Sequence, residues 1–216
     1  EQRSRGYVLM GITERRERER VEVRRKILDA ARDLFAREGY DRVTMRRIAD
    51  AIEYSATTIY NHFEDKDDLV RALCEEDFSR LLQVFREEEP PADPVEWIRR
   101  LARAYARFGL ELPNHYRFMF MTPHKKENHG PISPGDQSFE VLRMAVGRAI
   151  ESGQFRRGSV DTMSQVLWSS LHGAVALLIT LPRDLWPVAP AAEDLVDQTI
   201  ENGIRGFLAS ADKRRA

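Results

Sequence analysis

The residues best suited to a chemical task in this chain are Ala56, Thr57, Thr58, Tyr60, Asn61 and His62. They are small or hydroxyl-bearing and nearly uncharged, whereas a merely solvated helix face usually carries Lys and Glu. Short donors, acceptors and methyl groups along one helix face are what base edges in a DNA major groove require. Ser55 precedes them as an N-cap, and Ile59 and Phe63, four residues apart, turn inward. Upstream, Thr44 caps another short helix in which Ile48, Ala49 and Ile52 recur at helical spacing. A break at Glu53 and Tyr54 joins the two, so residues 44–63 read as a helix, a tight turn and a reading helix. Thr44, Arg46 and Ser55 join the DNA-contacting candidates. So does Lys66, a cation at a helix start where the dipole disfavours it unless a phosphate is shared there.

Other chemistries find less support. No Ser-His-Asp order or Gly-rich phosphate loop stands out, and the carboxylates fall mostly on solvated faces, so no enzyme is expected. His115, His124, His129 and His172 include no pair at i, i+4, and no metal or other cofactor is expected. The single cysteine, Cys74, excludes an internal disulfide and reads as core. Wholly apolar runs fall far short of the roughly 18–20 residues that span a bilayer, and no signal peptide is recognisable, so a cytoplasmic protein is expected. Net charge is −1, but residues 1–48 hold 14 Lys/Arg against 9 Asp/Glu, a local +5, which leaves −6 for the remainder. A basic end on an acidic body suits attachment to nucleic acid.

The order Ile48-Ala49-Asp50-Ala51, Ser55, Thr58-Ile59-Tyr60-Asn61-His62-Phe63 and Lys66-Asp67-Asp68-Leu69 resembles the DNA-binding domain of the tetracycline-repressor (TetR) family over about residues 21–70. Glu53 and Thr57 stand where family members often carry Gly. A residue other than Gly in that turn implies mild strain or another backbone path. The resemblance implies an all-α homodimeric regulator that binds a double-stranded palindromic operator, with a helical body for a small-molecule effector. It also implies pairing of two subunits through the two C-terminal helices as a four-helix bundle. Trp168-Ser169-Ser170-Leu171-His172-Gly173 further resembles a Trp-His-Gly pattern in the C-terminal domains of one TetR subgroup.

The rest of the chain must position these residues, and all of it reads as helix. Residues 1–20 form a tail and a mixed-charge arm, in which Arg15, Arg16 and Arg18 either sit on a solvated helix extension or approach phosphate or minor groove. The helix-turn-helix domain is placed at 21–70, its first helix spanning about Val21–Glu38 and stopped by Gly39. The body is placed at 71–216. A fourth helix runs from Asp65 to about Glu88 on a stripe of Leu69, Leu73, Leu81 and Phe85, and a fifth begins at Asp93-Pro94-Val95-Glu96. A short aromatic helix around Tyr116–Phe120 leads into Thr122–Asp136, rich in Pro and Gly, which reads as a mobile surface loop. Helices at about Gln137–Ser152, Val160–Leu181 and Glu193–Ala209 complete the set. The second of these is apolar nearly all round from Gly173 to Leu181, which predicts burial on several sides. With the last helix (Val196, Ile200, Ile204, Phe207, Leu208) it is expected to leave apolar stripes exposed for a partner subunit.

Tyr105, Phe108, Tyr116, Met119, Phe120, Leu142, Trp168 and His172 are candidates to line an effector cavity in the body, with the alternative of an ordinary core. Tyr, Trp and His bring polar tips that a dry interior must satisfy, which favours a ligand. An apolar or aromatic effector that releases a repressor from its operator fits this set best. DNA binding without an effector is the alternative, and an enzyme is the weaker one.

Overall fold

The computed structural model of the chain describes residues 2–121 and 133–209, with residues 2–12 as backbone alone. Every regular element among them is helical: α1 Gln2–Glu38, α2 Met45–Ala51, α3 Ala56–Tyr60, α4 Lys66–Glu87, α5 Pro94–Glu111, α6 Pro113–Met121, α7 Pro134–Glu151, α8 Val160–Thr180 and α9 Ala192–Arg205. The helices divide between two compact units, one built from Glu1–Cys74 and Arg117–Lys126, the other from Glu75–Tyr116 and Glu127–Ala216.

In the first unit, Ile27, Leu28, Ala31, Leu34 and Phe35 form the buried stripe of α1, and Phe118 stacks on Phe35 with ring centroids 5.6 Å apart. The helix continues back to Gln2, so residues 2–13 are helical where the sequence predicts a tail, and residues 14–20 form the helix extension that is one of their two readings. Mixed charges at i, i+4, such as Arg15–Glu19, support that extension. Three chain reversals use a left-handed residue after a helix. Two are glycines, Gly39 at φ 82° and Gly153 at φ 73°, and the third is Glu53 at φ 59°. After α2, the Tyr54 amide reaches the Ala49 carbonyl at 3.0 Å and the Glu53 amide the Asp50 carbonyl at 3.4 Å. This is the Schellman pairing, with glutamate in the place that favours glycine.

In the second unit, α5 lies against α7, α8 and α9, and α8 against α7 and α9. Asp93 caps α5 through the amides of Val95 and Glu96, as its sequence requires. Residues 133–136 depart from the irregular reading. Ser133 and Asp136 exchange hydrogen bonds as a capping box, so α7 starts three residues early at Pro134. The rest of the expected loop, 122–132, lies outside the described residues. The α9 stripe is also corrected. Val196, Ile200 and Ile204 are buried within the subunit where α9 packs on α5 and α8, Phe207 is buried against Phe155, and Leu208 alone of the five stays exposed. α8 packs against α5, α7 and α9, as its apolar second half predicts, and keeps an apolar stripe in the open, with Val166 and Leu177 45% and 50% exposed. By length and composition α8 could cross a membrane; in the fold it caps on Ser159 and packs on three helices.

Candidate functional site

The head of the first unit is assembled by two caps. Thr44 accepts from the Arg47 amide to start α2, and Ser55 accepts from the Thr58 amide at 3.1 Å to start α3. Ile48, Ala49, Ile59 and Phe63 go into the core. Their burial turns Thr57, Tyr60 and Asn61 outward, with Tyr60 55% exposed. Ala56 and His62 are half-buried beside them. Thr58 is also half-buried, and its hydroxyl pairs with that of Ser55 at 2.9 Å. Thr44 and Arg46 are exposed on the same head, and Arg47 pairs with Glu38 at 2.9 Å. His62 is held below its ordinary imidazole value, first by burial and then by the positive charges of Arg20 and Arg24.

Lys66 has a partner inside the domain. Its ammonium donates to the Tyr40 carbonyl and sits over the Tyr40 ring, 3.8 Å from the centroid. Burial pushes its pKa down against the pull of Asp41 and Asp67. The Tyr40 hydroxyl donates to Asp67 at 2.6 Å, and burial with that carboxylate raises the phenol to about 12. The misfit of a cation at the start of α4 thus has an internal explanation. Asp65 and Asp68 cap that start, through the Asp68 and Glu64 amides respectively.

The body brings together four of its eight candidates. The Tyr105 and Tyr116 hydroxyls lie 2.9 and 2.6 Å from His172 Nδ1 and 2.9 Å from each other. Trp168 lies against His172, ring centroids 5.2 Å apart. Burial raises both phenols above their ordinary value and lowers His172 below its own. Protonated phenols beside a neutral imidazole make Nδ1 an acceptor, which leaves the ring proton on Nε2. The cluster is therefore uncharged at neutral pH. Phe108 is buried on α5 and Leu142 half-buried on α7, while Met119 and Phe120 belong to the first unit.

Two features escape a reading of the sequence. Phe139 meets Trp168 edge to face at 6.3 Å, and its spacing from Leu142 is the signal that could have found it. Asp77 is 1% exposed and 2.8 Å from His115 Nδ1. It fills the gap in the α4 series Leu69, Leu73, Leu81, and an acid at an apolar stripe position is the visible sign. His124 and His129 lie outside the described residues, among which no group of three or more His, Cys, Asp or Glu is placed to hold a metal ion.

Two capped helices around an αL turn, with the second presenting an uncharged polar face, define a helix-turn-helix DNA-binding protein. The comparisons make the class specific. The family model described as bacterial regulatory proteins, tetR family, matches residues 27–73, and that described as tetracyclin repressor-like, C-terminal domain, matches 98–202. The transcriptional repressor AcnR of Corynebacterium efficiens is 40% identical over 166 residues, 74% of this chain and 84% of that protein. The repressor Rv1474c of Mycobacterium tuberculosis is 49% identical over 84 residues, which are 35% of this chain and 45% of that protein. The crystal structure of the TetR family regulator PfmR from Thermus thermophilus superposes with TM-score 0.67 at 26% identity, covering 83% of this chain and 97% of that one. The chain belongs to the TetR family of transcriptional regulators. These relatives are DNA-binding regulators, not enzymes.

Proposed function

We propose that the protein is a homodimeric repressor that binds a palindromic operator through α3 and leaves it when a small apolar or aromatic ligand occupies the body. The observation that carries the reading is the outward face of α3, where Thr57, Tyr60 and Asn61 stand exposed beside the buried Ile59. Thr44, Arg46, Ser55 and Ala56 extend that surface, and Thr58 supports it through Ser55. Dimerisation uses α8, whose Val166, Ser170, Gly173, Leu177 and Thr180 follow one another at i, i+4, i+7 spacing. Ser170 and Thr180 turn their hydroxyls back onto the Val166 and Ala176 carbonyls, which leaves this stripe little polar demand. Two reading helices on one two-fold dimer would face major grooves about 34–36 Å apart.

Trp168, Tyr105, Tyr116 and His172 orient the effector, their uncharged polar tips suiting a ligand with one hydrogen-bonding group rather than an ion. Signal passes along α4, one unbroken helix from the turn after α3 to Glu87. A ligand with an approximately 10⁴-fold preference for the released state would swing the population almost completely. The second reading, DNA binding without an effector, draws on the same cluster. Its hydroxyls and Nδ1 already satisfy one another, as a purely structural core would require.

Selection of bound duplexes from random DNA tests the first part and supplies the operator. Tyr60→Phe should then weaken operator binding with unchanged circular dichroism, at a cost of about 1–3 kcal/mol. Unchanged affinity in that variant and in Asn61→Ala removes this face from the interface. For the effector, compounds that raise the melting temperature of the wild type but not of Trp168→Ala support the site. A stabilising compound that acts equally on both places the effector elsewhere.

A further inference from the structure

Between Glu14 and Lys26 the first helix carries 7 Arg/Lys against 4 Asp/Glu, and nearly all of this segment is exposed. Much of that charge is a solvated face. Three of its cations are placed otherwise. The Arg24 guanidinium lies over the Phe63 ring, 5.0 Å from the centroid, and the Lys26 ammonium lies 6.0 Å from the Tyr54 ring. Arg20 is one turn before Arg24 on the same side of α1. The two arginines are the charged groups that act on His62. Tyr54 precedes α3, while His62 and Phe63 follow it, so cations of α1 bracket both ends of the reading helix.

Burial and the two cations favour the neutral form of the His62 imidazole, so the positive charge at this end of α3 is that of the two arginines. That charge favours an anion arriving from outside. Stacking on Phe63 leaves the N–H groups of Arg24 in the plane of its guanidinium, where they can grip an oxyanion side by side. Since α1 is helical here, it is about 10–12 Å across and too thick for the minor groove of B-DNA, which is about 6 Å wide. The body of the helix therefore stays outside that groove, beside the sugar-phosphate backbone that borders the major groove.

We propose that Arg20 and Arg24 form a phosphate-binding ledge that clamps the DNA backbone next to the groove entered by α3. The inference rests on the reading that α3 enters the groove, and it adds phosphate interactions that fix register without reading sequence.

The test uses full-length Arg20→Gln and Arg24→Gln with two duplexes, the operator recovered by selection and a scrambled duplex of equal length. Affinity is read by fluorescence anisotropy between about 50 and 200 mM salt. Each variant should bind both duplexes more weakly by a common factor, about eightfold at 0.1 M salt. The slope of log affinity against log salt should flatten by about 0.9 for each phosphate no longer neutralised. Arg24→Lys should keep the slope close to wild type, which separates the charge from the stacking on Phe63. Among the described residues no ring lies beneath Arg20, so Arg20→Gln reads the phosphate interaction without loss of a stacking contact. An unchanged slope in Arg20→Gln and Arg24→Gln, or a loss of affinity confined to the operator, overturns the ledge. Tyr60→Phe measured alongside keeps the two readings apart. If it alone weakens operator binding, the ledge fails and the reading helix stands; if the arginine variants alone lose affinity, the arginines hold phosphate but the reading of α3 fails, and the ledge as placed beside its groove falls with it.

Discussion

Replacing Glu53 by glycine should stabilise the protein, and the size of the gain follows from the turn. Glu53 holds φ 59° at the left-handed position of a Schellman pairing, flanked by the 3.0 Å bond from the Tyr54 amide to Ala49. Left-handed backbone costs a residue with a β-carbon about 1–2 kcal/mol. Glycine removes that cost but loses roughly 0.5–1 kcal/mol more conformational freedom on folding. The net is a gain of about 0.5–1 kcal/mol, which for a chain of this size raises the melting temperature by about 1–4 °C. A second contribution must be separated. Glu53 also sits just past the C-terminus of α2, where a negative charge opposes the helix dipole. Glu53→Ala removes the charge but keeps the β-carbon, so it isolates the dipole part. Thermal melts followed by circular dichroism, with wild type, Ala and Gly compared at one protein concentration, decide the matter. The order expected is Gly above Ala, with Ala at or slightly above wild type. If Ala equals or exceeds Gly, the backbone strain assigned to this turn is wrong.

Lys66→Met keeps the stem over Tyr40 and Phe35 but removes the ammonium that donates to the Tyr40 carbonyl. A charge-assisted bond less the relieved desolvation should cost about 1–2 kcal/mol, a fall of about 2–8 °C in melting temperature; an unchanged melt with a flatter salt dependence of DNA binding would assign Lys66 to a phosphate instead. His172 and His62 both have folded pKa values below the ordinary 6.5, so the unfolded chain takes up their protons first as pH falls. Stability should be full above about 6.5 and decline below it, and His172→Gln should shallow that decline in melts from pH 7.5 to 5; an identical profile would remove His172 from the linkage. Gly173 has open space where a β-carbon would stand, so Gly173→Leu should leave the subunit folded while crowding the α8 seam. Light scattering after gel filtration should then show a shift from dimer towards monomer, and an unaltered dimer would place the seam elsewhere.

The head is legible in the sequence because its signals are local. Thr44, Ser55 and Asp65 are caps that announce themselves within three or four residues, and Ile59 and Phe63 fix the phase of α3. Glu53 is readable as an anomaly, since the left-handed turn is demanded by the helices on either side. The body is less legible where partners are distant in sequence. Nothing near Tyr105 indicates that its hydroxyl meets Tyr116 and His172, 11 and 67 residues away. The α9 stripe shows the same limit. Periodicity says that Val196, Ile200 and Ile204 face one way, and only packing decides whether that way is inward or towards another subunit. The start of α7 is hidden because Pro134 and Gly135 read as loop, although proline at the first helical position after serine is a start signal.

The short pairing after α9 bears on the order in which a ribosome can complete this protein. The Arg156 amide bonds the Phe207 carbonyl and the Ala209 amide the Gln154 carbonyl, both at 2.8 Å. Arg99 and Arg103 of α5 wait on Glu201 and Asp197 for their carboxylates. The two carboxylates follow their arginines by 102 and 94 residues, so the second unit cannot close until α9 has left the exit tunnel. The first unit has an intermediate checkpoint, since Phe35, stacked on Tyr40 from the start, acquires its second ring partner only when Phe118 emerges. Nascent chains stalled after residue 74 should therefore hold their three N-terminal helices in a looser state than the folded protein, and α5 should remain protease-sensitive until α9 has emerged.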